Sequence, residues 1–272
     1  MLARAAREEG TLRVRQFGAV NWLGLWTLYL REVRRFLKVI MQTVIAPVVT
    51  TLLFLAIFLL AFAGQRGAID GVPFAEFLAP GLIMMAIIQN AFANTTSSLM
   101  IAKIQGSISD ILMPPLSPAE LVWGFALGGV TRGLLVGLSV GVAMALVVHV
   151  NIANWGLVIF HAVAASLLLS VLGILAALWA EKFDHIAAVT NFLVMPLSFL
   201  SGTFYSIDRL PAPFRVAAGL NPFFYMIDGF RAGFIGHADG SIAIGIAVMV
   251  GINVVLLALT HYLFARGYKL KA

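Results

Sequence analysis

The chain has 272 residues, of which 61% are hydrophobic and only 11% charged, and its mean hydropathy is +0.98. Soluble domains carry about 45–50% apolar and about 25% charged residues, so a water-soluble globule is excluded. The net charge of +6 does not mark a nucleic-acid binder, because no basic stripe with interleaved aromatics accompanies it. Eight of the 18 Lys and Arg instead precede Val39, and Arg266, Lys269 and Lys271 close the chain. Basic flanks outside apolar runs are an orientation signal and keep those ends in the cytoplasm. Cysteine is absent, which removes disulfides, iron–sulfur centres and thiolate zinc sites.

The first 38 residues do not read as a cleavable signal, since no apolar core follows Arg4 and Arg7 at the usual distance and no small-residue cleavage site appears. Within them Asn21–Lys38 places Trp22, Leu25, Trp26, Tyr29, Val33, Phe36 and Leu37 at helical spacing, with Arg31, Glu32, Arg34, Arg35 and Lys38 gathered near the end. A basic amphipathic helix with aromatic anchors lies in the membrane interface. The plainer alternative is a cytoplasmic flank that anchors the first span.

Six apolar windows of about 20 residues follow, each long enough to cross a hydrocarbon core. They are Val39–Ala63, Phe74–Met100, Val122–Val148, Trp155–Trp179, Ile186–Tyr205 and Ile242–Phe264. Asn191 and Pro196 are expected to interrupt the fifth. An even number of spans puts both termini on one side. The second window changes halfway, from GLIMMAII to a stretch carrying Gln89, Asn90, Asn94, Thr95, Thr96, Ser97 and Ser98. So many polar groups avoid lipid by facing other helices, a partner subunit or a translocation path.

Between the second and third spans, Lys103–Glu120 reads KIQGSISDILMPPLSPAE. Ile104, Ile108, Ile111 and Leu112 fall on one helical face, Pro114 and Pro115 end that helix, and Ser117 with Glu120 forms a capping-box pattern. The apolar face needs cover, from the bilayer surface or from a cytoplasmic partner. In the third span Arg132 stands among Gly128, Gly129, Gly133 and Gly137. A cation there needs a partner, a cavity or a snorkelling route, and a structural ion pair and a substrate- or interface-facing charge satisfy that cost equally. Glu181, Lys182 and Asp184 make a charged turn read as a solvated connector.

Pro196–Gly236 is neither a clean span nor a soluble loop. Pro211, Pro213 and Pro222 break it, and Asp208, Arg209, Arg215, Asp228 and Arg231 sit among Phe204, Tyr205, Phe214, Phe223, Phe224 and Tyr225. Irregular backbone at membrane depth is tolerated only under protein or beside a water-filled cavity. The mixture suits an aromatic belt with paired charges, or the mouth of a path for an amphiphile.

Catalytic signatures are missing. No Gly-Lys dipeptide occurs, so no P-loop cradles a nucleotide, and H-E-x-x-H and G-x-S-x-G are absent too. The five His are scattered; His161 and His261 lie inside spans and read as packed or interfacial. A membrane enzyme therefore lacks its residues. A secondary transporter or channel without an ATPase is the alternative to a driven permease, and would require intramembrane carboxylates or inverted repeats.

The interfacial basic helix, FLAPGLIMM at the second span, KIQGSISDILMPPLSP, GGVTRG and PLSFLSGTFYSIDRLPAPFR…LNPFFYMIDGFRAGF together resemble the membrane permease of type-2 ABC exporters. The match covers nearly the whole chain. The resemblance implies an all-α polytopic membrane protein with six transmembrane helices, an N-terminal interfacial helix and a re-entrant outer segment before the last helix. It also implies a homodimer of permeases in the bacterial inner membrane, in contact with membrane lipid and with two copies of a cytoplasmic ABC ATPase. ATP and Mg would sit on that partner, with no cofactor, metal or nucleic acid on this chain. The implied layout is a cytoplasmic N-terminus at 1–38, a membrane domain at 39–264 with a coupling loop at 103–120 and a re-entrant segment at 206–240, and a cytoplasmic tail at 265–272. Implied roles are ATPase coupling for Ile104, Ile108, Asp110, Ile111, Leu112, Pro114 and Pro115, and interface-helix contacts for Trp22, Trp26, Arg31, Arg34 and Arg35. Path or gate positions are Asn90, Asn94, Arg132, Phe199, Phe204, Tyr205, Asn221, Pro222 and Arg231. An amphipathic, lipid-linked, glycan or drug-like substrate would pass between two copies.

Overall fold

The computed structural model describes residues 18–61, 68–69, 71–207 and 211–270. Arg4, Arg7, Arg13, Arg15, Asp208, Arg209 and Lys271 lie outside them. Among the described residues the protein is all-α apart from one two-residue antiparallel pair, β1 (Ala68–Ile69) with β2 (Val72–Pro73). A short helix α1 (Trp22–Leu37) precedes six helices long and apolar enough to span a membrane: α2 (Met41–Ala61), α3 (Phe74–Ile104), α5 (Pro118–Ala145), α6 (Trp155–Trp179), α7 (Phe183–Leu200) and α10 (Ile242–Ala265). Helix α4 (Ile108–Leu112) connects α3 to α5, and two short helices, α8 (Ala212–Gly219) and α9 (Pro222–Ile235), stand between α7 and α10.

Helix α3 is the centre of the bundle, with 83% of its apolar window buried, while α2 and α7 bury only 11% each. Its neighbours α5, α6 and α9 enclose it. The close approach is made by small residues. A Cβ on Gly137 would lie 2.3 Å from Ile87 Cγ1, and one on Gly129 2.2 Å from the Ser170 hydroxyl, so only hydrogen allows α3, α5 and α6 to touch at these points. In the absence of water, packing of this kind supplies most of the helix–helix attraction.

The fifth span is not interrupted as expected. α7 runs through Pro196 because a π-helical turn at Thr190–Val194 precedes the proline. α2 does the same, with a π turn at Met41–Ile45 before Pro47. A proline ring clashes with the carbonyl four residues earlier, and a widened turn moves that carbonyl aside. The helix is kept continuous at the cost of a local irregularity.

Candidate functional site

At one end of the bundle, three elements meet in a hydrogen-bonded elbow. Ser117 caps α5 by accepting from Glu120 N, while Glu120 Oε2 accepts from Ser117 N at 2.6 Å, the capping box expected from the sequence. Glu120 Oε1 also accepts from the Asn21 backbone N–H at 2.5 Å. Asn21 in turn caps α1 through Gly24 N and donates from its amide to the Pro115 carbonyl at 3.2 Å. One carboxylate thereby satisfies orphan donors of two helices and locks α1 to the loop before α5.

This elbow corrects the expected helical face of the loop. Gly106, at φ +69, turns the chain after α3, so Ile104 ends α3 and is exposed while α4 contains only five residues. Ile108 and Ile111 point inward onto a cluster that includes Leu28, Leu99 and Phe125, so their cover comes from this chain itself. The outward surface of the loop includes Ser109, Asp110, Met113, Pro114 and Pro115, with Leu112 half-buried.

α1 buries a narrow stripe against the bundle. It is Leu28, Glu32 and Phe36, while Trp22 and Trp26 face outward, as do Arg31 and Arg34. α5 admits α1 through its glycines: a Cβ on Gly124 would stand 2.5 Å from Leu28 Cδ2, and one on Gly128 2.5 Å from Glu32 Cβ. Glu32, wholly buried, accepts from Ser98 Oγ at 2.7 Å and from Arg35 Nη2 at 3.3 Å. Arg35 turns away from the basic surface and donates to the Asn94 carbonyl at 2.7 Å, to Asn94 Oδ1 at 2.9 Å and to Ser97 Oγ at 3.0 Å. The polar half of α3 is thus answered by α1.

Arg132 sits near the middle of α5, about 21 Å from its Pro118 end at 1.5 Å per residue. Its Nη2 donates to Asn90 Oδ1 at 3.2 Å, and both residues line a cleft of about 690 Å³ between α2, α3 and α5. Gln89, Ser97 and Arg35 line the same cleft.

At the other end, Arg231 of α9 is buried within the chain. Its Nη2 donates to the Gly202 carbonyl at 2.5 Å, and its guanidinium carbon lies 3.9 Å from the centroid of Phe77 on α3. Asn221 caps α9 by accepting from Phe223 N, and its amide donates to Ser201 Oγ at 2.8 Å; Pro222 then takes the first helical position, where no N–H is needed. Gly236 closes α9 at φ +74. Phe204 stacks on Phe58 of α2 at 4.5 Å and on Phe199 at 5.5 Å, while the Tyr205 hydroxyl donates to Leu200 O. Asp228 accepts from Asp239 N and Gly240 N. Of the described charges in this segment, Asp228 and Arg231 are buried fasteners, while Arg215 is exposed. His161 is likewise packed: α9 lies so close that a Cβ on Gly229 would stand 2.0 Å from its Nε2.

At the elbow end, Lys103 donates to the Ala177, Leu178 and Ala180 carbonyls, and Lys269 reaches Trp179 O and Glu181 Oε1. Two cations thus gather on the carbonyl end of α6, where the helix dipole favours them. The hydrogen bond from Lys269 holds the Glu181 carboxyl below its ordinary range, and the same contact raises Lys269. Among the described residues no group of three or more His or carboxylate side chains is placed to hold a metal ion.

Residues 24–235 match the ABC-2 type transporter family. The chain belongs to that family. It is 35% identical over 251 residues to the inner membrane transport permease YadH of Escherichia coli (strain K12), covering 92% of this chain and 98% of that protein. It is also similar to nodulation protein J of Rhizobium leguminosarum bv. viciae, 23% identical over 238 residues, covering 85% of this chain and 89% of the relative. It is therefore a multi-pass membrane protein and the permease subunit of a transporter, of a family whose members work with an ABC ATPase.

Against that family background, the residues that sequence reasoning missed are Glu32, Lys103 and Phe77. Glu32 carried a signal, because it falls four residues after Leu28 and four before Phe36, on the buried stripe. Lys103 and Phe77 carried none, since their partners lie on distant segments.

Proposed function

We propose that this chain is the permease of an ATP-driven exporter, working as a homodimer with two copies of a cytoplasmic ATPase that binds ATP and Mg. Both termini and the elbow would face the cytoplasm of a bacterial inner membrane. Here α1 would lie at the membrane interface, with Trp22 and Trp26 toward lipid. The region 103–120 would couple to the ATPase, and 206–240 would dip into the outer leaflet and return as a gate. An amphipathic, lipid-linked, glycan or drug-like substrate would pass between the two copies.

The elbow is the observation that carries this reading. A push on Asp110, Met113 or Pro114 would be passed on, because Glu120 and Asn21 bind that loop to both α1 and α5. α1 in turn holds the polar face of α3 through Glu32 and Arg35. Movement at the loop would reach three helices together. The test is co-purification of the chain with the ATPase from the neighbouring reading frame. Retention of the ATPase, and its loss when Asp110 and Met113 are both changed to Lys in a folded permease, is expected. Unchanged retention and unchanged ATPase turnover in that variant would remove the coupling role.

A further inference from the structure

The cleft between α2, α3 and α5, at about 690 Å³, is in the size range of sites that take a small ligand. Its walls combine two chemistries. Phe54 and Met85 are apolar, while Arg35, Gln89, Asn90 and Arg132 are polar or cationic. Charge is unbalanced there. The ion pairs between described residues are Glu32–Arg35 and Glu181–Lys269, which leave Arg132 without a carboxylate among the described residues.

Hydrogen bonding is unbalanced as well. Arg132 makes one described side-chain bond, from Nη2 to the neutral Asn90 amide oxygen. Arg132 Nε and Gln89 Nε2 are buried donors without an acceptor. The residue as a whole is only half-buried and lines the cleft. An uncompensated cation far from either end of a span is costly, and the cost falls when an anion joins it. A planar guanidinium matches the paired oxygens of phosphate or carboxylate.

We propose that this cleft binds the anionic head group of an amphiphile, a phosphate or a carboxylate, with Arg132 as its contact and its chain laid along Phe54 and Met85. Arg35, held by Glu32, adds positive potential without being free to neutralise the ligand. Asn90 aims the Arg132 side chain. The site deepens the permease reading above and rests on it only for its link to transport; binding itself is a property of this chain.

The test uses the full chain in phosphatidylcholine nanodiscs, with dodecyl phosphate and the neutral dodecyl maltoside as probes. Wild-type protein is expected to bind the phosphate at least about tenfold more tightly, the scale of a charge-assisted hydrogen bond. Arg132→Gln should bring the two probes to parity, and Arg132→Lys should retain most of the preference. Equal binding of both probes by the wild type, which requires no variant to fold, overturns the proposal, as does an unchanged preference in a folded R132Q. With the ATPase co-reconstituted, stimulation of turnover by dodecyl phosphate identifies the amphiphile as cargo. Binding without stimulation identifies a resident lipid, and the site stands in either case. Failure of an ATPase to co-purify would sink the ATP-driven exporter reading while leaving the binding measurement intact.

Discussion

Replacing Glu32 with Ala tests whether α1 is a fastened part of the bundle. The carboxylate is wholly buried and accepts from Ser98 at 2.7 Å and from Arg35 at 3.3 Å. Losing a hydrogen bond to a charged acceptor costs about 1.5–3 kcal/mol. Arg35 keeps its bonds to Asn94 and Ser97 and remains partly exposed, so the full cost of about 3–5 kcal/mol for a broken buried pair is an upper limit. A loss of about 2–4 kcal/mol follows from those two bounds. Glu32→Gln should lose about half as much, because an acceptor for Ser98 survives. Reversible unfolding of the purified chain in mixed micelles, with Ser98→Ala completing a double-mutant cycle, reads the coupling directly. A coupling of about 1–2 kcal/mol is expected, since the Ser98 hydroxyl and Glu32 are direct partners. A coupling near zero, with E32A as stable as wild type, would refute the view that α1 is fastened through its buried carboxylate.

Arg231→Leu removes the bond to Gly202 and the contact over Phe77. It should cost about 2–4 kcal/mol and raise protease nicking near 199–207, whereas Phe77→Leu should cost about 1–2 kcal/mol because the hydrogen bond remains. Gly137→Ala drives a methyl into Ile87 and should cost about 1–3 kcal/mol by thermal unfolding. Gly251→Ala meets nothing within 4 Å and should be neutral or stabilise by up to about 1 kcal/mol. The Glu181–Lys269 contact lowers the Glu181 pKa. A depressed folded pKa gives a contribution present above the unfolded value and lost as pH falls through the folded one. Hydrogen exchange at residues 267–270 should therefore quicken below the ordinary carboxylate range, and Glu181→Gln should abolish that step.

Local runs and short spacings were legible in the chain alone. Six apolar stretches of bilayer length gave the spans, because hydrocarbon admits little else. Ser117 and Glu120 announced their capping box, because both partners lie within one helical turn. Tertiary structure decided the rest. Asn21, Glu120 and Pro115 meet across about a hundred residues, and Arg231 finds its carbonyl acceptor near the end of a different helix. Glu32 and Arg35 read as part of a basic surface until Gly124 and Gly128 let α1 sink into α5. Continuity through Pro196 depended on a π turn, a backbone adjustment that no residue type specifies alone. Side chains at membrane depth must find partners, and which partners they find is settled only when the helices that carry them have packed.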